Sequence, residues 1–153
     1  RACLRCGAPQ PAKPSWSGTG FEWKSARTYG GYPLVHIAFG RDSRGKLRVA
    51  KGVIAIGQFA LGLITVAQFG VGLLFGFGQF LIGSFVLAQF AGALVVGVGQ
   101  IATGYAAIGQ VVLAYYGLGQ IGRGEFLWTM SRRDDEAVQF FLAWLSYLKQ
   151  VIH

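Results

Sequence analysis

Few residues in this chain have the types and spacing to do chemistry. Cys3-Leu4-Arg5-Cys6-Gly7 sets two thiols two residues apart with a glycine behind them, a spacing that lets both thiolates point at one zinc ion. Tetrahedral zinc takes four ligands, and Cys3 and Cys6 are the only two cysteines in the sequence. Such a site would be shared, its remaining ligands coming from another subunit, a partner or a further segment; the plain alternative is a free thiol pair. In either case the pair fits a reducing compartment better than a disulfide scaffold. A dithiol redox role lacks support, because no βαβ pattern surrounds the pair. His36 stands in an apolar run with no His, Cys or carboxylate close to it in sequence, which reads as a structural histidine and not as a ligand or base. The six acids include none between residues 52 and 122, and no nucleophile can be matched with a base. The expectation is a non-enzymatic protein with no cofactor other than zinc shared between subunits.

The element that would carry such groups is a repeat. Residues 52–122 contain neither a charged residue nor a proline, and a small residue followed two places later by a large apolar one recurs there at a spacing of five. Gly57-Gln58-Phe59-Ala60-Leu61 is followed by Gly62-Leu63-Ile64-Thr65-Val66, Ala67-Gln68-Phe69-Gly70-Val71 and Gly72-Leu73-Leu74-Phe75-Gly76. One extra residue, Phe77, precedes the restart at Gly78-Gln79-Phe80, and another, Val98, precedes Gly99-Gln100-Ile101. Four pentads make a cycle of 20 or 21 residues. The predicted fold is all-β: a four-sided β-solenoid of about 20–21 residues per coil and just under four coils over residues 47–123. A β-hairpin would precede it and a C-terminal amphipathic α-helix would follow. With one small and one large residue of each side facing inward, Phe59, Ile64, Phe69, Leu74, Phe80, Phe85 and Phe90 belong inside.

In period and inward pattern this stretch resembles the pentapeptide-repeat family, whose members fold as quadrilateral right-handed β-helices. The resemblance covers roughly half the chain. It departs from the family in lacking Asp or Asn between the two inward residues and in having apolar outer positions. The DNA mimicry of some members needs an acidic surface that this chain does not have. Trp23-Lys24-Ser25, residues 33–39 and residues 50–57 are similar in order to uncharacterised bacterial proteins that join such segments to Gly-rich apolar repeats, which implies no activity.

The rival reading is α-helical, since residues 52–122 could hold two or three spans of ~20 residues each and make a polytopic channel or transporter subunit. A period of five rotates around a helix of 3.6 residues per turn instead of holding one face, and connecting loops would bring charge or proline. Aligned on the four-sided coil, Gln58, Gln79, Gln100 and Gln120 fall on one outer wall and Gln68, Gln89 and Gln110 on the opposite one. Two amide ladders are expected, either hydrogen-bonded along their length as in cross-β stacks or facing water.

The flanks divide into a Cys-x-x-Cys knuckle (1–7), a proline- and glycine-bearing linker (8–20), N-terminal strands and a hairpin (21–46), and a C-terminal capping or interfacial helix (124–153). Residues 33–50 read as a hairpin laying down the first edge of the repeat. Ser131 is the expected N-cap, with Asp134, Asp135 and Glu136 in the first helical turn. No signal-peptide h-region stands near the beginning, so secretion is not expected. Net charge is +8, with ten Lys and Arg against two acids in residues 1–51 and four of each sign in residues 123–153. Arg41, Arg44, Lys46, Arg48 and Lys51 therefore form a candidate membrane-surface cluster, with the basic part on the cytoplasmic side. An apolar outer surface on this scale needs lipid or protein against it. The expected partners are membrane lipid and a homo-oligomer or larger membrane complex, and the expected role is a scaffold or self-assembling subunit. A zinc-ribbon-type nucleic-acid or regulatory module is a further alternative, but the basic and aromatic residues form no recognisable nucleic-acid module.

Overall fold

The computed structural model describes residues 15, 16 and 20–152. In chain order the elements are β1 (Ser15–Trp16), β2 (Gly20–Lys24), β3 (Thr28–Tyr29), β4 (Tyr32–Pro33), β5 (Val35–Gly40), β6 (Val49–Arg123), β7 (Phe126–Trp128) and α1 (Asp135–Ile152). The chain is thus mostly β with one C-terminal helix, and the charge-free stretch is strand throughout, not helix. The Cys3/Cys6 pair and most of the 8–20 linker lie outside the described residues.

β1, β2, β5, β6 and β7 form one sheet in that order. β3 and β4 make a small hairpin whose turn is Gly30-Gly31, at φ 59° and 82°. Two consecutive positive φ values define the turn type that matches strand twist, and glycine adopts them without steric cost. β2 runs antiparallel to β5, setting Glu22 opposite Ala38 and Lys24 opposite His36. β5 is parallel to β6, with Val35 beside Ile54 and Ala38 beside Gly57. The predicted hairpin over 33–50 therefore exists only at its tip. There Arg41 bridges Leu47 antiparallel, and the Asp42 carboxylate accepts the Arg44 and Lys46 backbone N–H groups.

A straight strand as long as β6 would extend about 250 Å at ~3.3 Å per residue. Its side chains show that it does not run straight. Phe59 stacks on Phe69, Phe69 on Phe80 and Phe80 on Phe90, with centroids 5.5, 5.1 and 4.3 Å apart. Phe75 stacks on Phe85, Tyr105 on Tyr115 and Tyr116 on Phe126 in the same way, the last pair lying in parallel register with β7. The chain passes back over itself every ten or eleven residues, two pentads and not four. The 20–21-residue coil with four sides is thereby corrected, as is its count of just under four coils. The interval is eleven between Phe69 and Phe80 but ten between Phe75 and Phe85, so the extra residue of this pass lies before Phe75 and not at Phe77, where the pentad count puts it.

The inward register differs as well. The small residue that opens a pentad is buried at Gly57, Ala67, Gly72, Gly83, Ala88, Ala93 and Ala114, half-buried at most of the others and exposed at Gly78. Its inward companion, however, is the residue three places on: Ala60, Thr65, Leu81, Val86, Ala91, Ala102, Ala107 and Val112 are buried. Phe69, Leu74, Phe80, Phe85 and Phe90 are exposed, while Phe59 and Ile64 are half-buried. The reason is room. A Cβ added at Gly70 would already lie 3.0 Å from the Thr65 methyl and 3.2 Å from Leu81, which leaves no space inside for an aromatic ring. Where a larger residue does point inward, glycine is beside it: a Cβ on Gly76 would meet Leu81 at 3.4 Å, and one on Gly117 would meet Val112 at 3.0 Å. The buried Thr65 hydroxyl donates to the Val71 carbonyl, so this narrow core leaves it satisfied.

At the C-terminal end Leu127 of β7 and Phe141 and Ala137 of α1 are buried, and Phe140 stacks on Tyr116 at 4.2 Å. The helix begins at Asp135, not after Ser131, and the Asp134 carbonyl receives the Val138 N–H. The Asp134 carboxylate accepts the Leu127 N–H, which ties the helix start to β7. That hydrogen bond, aided by Arg132, holds the Asp134 carboxyl below its ordinary pKa.

Candidate functional site

Two features stand apart from the core: a charged cluster where the chain enters β6, and the apolar walls of β6 itself.

Glu22 is the centre of the cluster. β2 carries it on the face toward His36, and its Oε1 lies 2.8 Å from Lys24 Nζ and 3.3 Å from His36 Nε2. Its Oε2 accepts a hydrogen bond from Arg48. The Lys24 hydrogen bond, followed by the charges of Lys24 and His36 and the Arg48 bond, holds the Glu22 carboxyl below its ordinary pKa against the opposing effect of burial. His36 is buried, and the Lys51 N–H donates to its Nδ1 at 2.7 Å. Nδ1 thus faces the Lys51 backbone and Nε2 faces Glu22. Both ring nitrogens are occupied by structural bonds, and no nucleophile touches them. Among the described residues no three His, Cys, Asp or Glu side chains come together as a metal site.

The five predicted surface cations are brought to this same end but do not behave alike. Arg48 is drawn onto Glu22 and is largely covered. Arg41 donates to the Gly45 carbonyl, and Arg44, Lys46 and Lys51 are exposed. Lys24, Lys46, Lys51 and Glu22 border a crevice of about 470 Å³ that also reaches Tyr32. The role of Glu22 was missed from sequence. Its signal was the alternation of residues 21–28, but the β2–β5 register that aims it at His36 is a tertiary fact.

The walls of β6 are apolar and open. Phe69, Phe80 and Phe90 each keep roughly two-fifths of their surface accessible, Ile82 61% and Leu94 75%. A groove of about 610 Å³ runs along the phenylalanine stack between Phe59 and Phe90. Each of these phenylalanines is preceded by glutamine. Because Phe59, Phe69, Phe80 and Phe90 form one stack, Gln58, Gln68, Gln79 and Gln89 share one wall, and the same interval carries Gln100, Gln110 and Gln120 into the same column. The two opposite ladders are corrected to one. The column is exposed except for the half-buried Gln58, and no hydrogen bond joins one of these amides to another. The sequence signal was present, since glutamine occupies every second pentad.

Comparison with protein-family models, with curated proteins and with solved structures gave no match to this chain. No helix among the described residues is long and apolar enough to cross a membrane.

Proposed function

We propose that the chain is a non-enzymatic structural subunit in which β6 winds as a two-walled β-solenoid whose outer walls are covered by membrane lipid and by other copies of the chain. The observation that carries this is the charge-free and largely apolar exterior of residues 52–122: large side chains such as Leu73, Ile82, Leu94 and Leu113 stand more than half exposed. Exposed apolar area on this scale marks a lipid or protein interface in a folded chain. The glutamine column is the polar seam of that surface and suits contact between copies, where side-chain amides can bond across the joint. The basic residues of the first end lie against anionic headgroups on the cytoplasmic side.

Fractionation of the full chain tests this. It should pellet with membranes, resist extraction by high salt and enter solution with detergent as a species larger than one chain. A salt-extractable or detergent-free monodisperse monomer would overturn the assignment.

A further inference from the structure

We propose that residues 52–122 cross a lipid bilayer, with the stacked passes running along the membrane normal. This rests on the membrane reading above and adds the span, its axis and its two boundaries.

The first support is length. A return every ten or eleven residues gives about seven passes between Lys51 and Arg123, and at ~4.8 Å per pass the charge-free belt is roughly 34 Å tall. The hydrocarbon core of a bilayer is ~30 Å. A four-sided coil of the same sequence would be half as tall and could not span.

The second is the sorting of aromatic types along that axis. Residues 33–104 contain phenylalanine but no tyrosine or tryptophan. Tyr29 and Tyr32, on the first-end hairpin, border a cavity that starts at Lys51 and Gly52 and reaches Leu61 and Leu73 on the next two passes. Tyr105, Tyr115, Tyr116 and Trp128 stand at the other end, joined through the Tyr105–Tyr115 and Tyr116–Phe126 stacks. Tyrosine and tryptophan prefer the two headgroup levels, while phenylalanine is at home in the hydrocarbon.

The third is charge and backbone. Lys24, Arg44, Lys46 and Lys51 end the belt on one side, and Arg123, Glu125, Arg132 and Arg133 end it on the other. At both ends of the belt the pairing is parallel, β5 with β6 and β6 with β7, which directs backbone hydrogen bonds along the axis, as a spanning structure requires of its backbone. The outermost passes are covered by β5 at one end and by β7 at the other.

The test uses the full chain with Cys3 and Cys6 replaced by serine, reconstituted in phosphatidylcholine–phosphatidylglycerol vesicles. One variant carries Arg44→Cys together with Glu125→Cys, at the two exposed ends; another carries Leu94→Cys, mid-belt. A membrane-impermeant maleimide is added outside, and mass spectrometry counts labels per molecule before and after detergent. Spanning predicts that the chain floats with vesicles and that no double-variant molecule takes two labels until detergent is added, whichever way it inserted. Leu94→Cys should stay unlabelled until then. Flotation with two labels from outside would overturn the span while leaving membrane association intact. Failure to float would overturn both.

Discussion

Phe69 and Phe80, eleven residues apart, lie face to face with centroids 5.1 Å apart and planes within 7°. A sequence separation of eleven would put two residues of one straight strand ~36 Å apart, so this contact alone shows the chain returning over itself. Both rings are exposed and so lie on the outside, beside a core of small residues.

The residues next to these rings should therefore matter more to folding than the rings do. Leu81→Ala removes a fully buried side chain and should cost about 2–5 kcal/mol. Phe80→Ala should cost about 1 kcal/mol of ring stacking and should weaken membrane association more than stability. Thermal unfolding of both variants in detergent, paired with vesicle flotation, checks the order.

Gly78 should tolerate no side chain. A Cβ there would overlap the Ala67 carbonyl, backbone that cannot swing aside, so Gly78→Ala should cost about 3 kcal/mol or more. Gly30→Ala meets open space at a positive φ and should cost only about 1 kcal/mol. Equal loss of Tm for the two substitutions would contradict the close approach of successive passes.

Glu22 links stability to pH. Its folded pKa is depressed, so its contribution is present above the ordinary carboxylate value of 4.5 and is lost as pH falls below it toward the lower folded value. Tm of the native chain should hold from neutral pH to about 5 and fall below. Glu22→Gln should lower Tm at neutral pH by an amount worth about 1 kcal/mol, given partial solvation of the carboxylate, and should flatten the acid limb.

Phe141 anchors α1. Phe141→Ala should cost about 3–5 kcal/mol locally and expose the helix to limited proteolysis while β-structure persists by circular dichroism. Leu148→Ala, on the exposed side of the helix, should leave cleavage unchanged.

Gln79→Lys tests the amide column. An isolated cation has no partner on a wall covered by lipid or by another copy, so detergent-extracted material should shift to smaller species or leave the membrane fraction. Unchanged assembly and partitioning would mean that the column faces water.

The sequence by itself determined the pentad period, the charge-free length of the belt, the inward lane of small residues and the amphipathic C-terminal helix. All of these are local: they follow from residue types at fixed spacing, and glycine and alanine leave few options for which position faces a narrow core. How many pentads close one turn, and whether Phe80 or Leu81 points inward, was decided only in three dimensions. A period of five sets where the chain bends, but the number of bends per turn depends on how closely opposite walls can approach. With Gly76 beside Leu81 and Gly117 beside Val112 the interior is narrow, and the phenylalanines lie outside it. The same holds for Glu22 and His36, fourteen residues apart, whose meeting depends on a strand register that neither residue encodes alone.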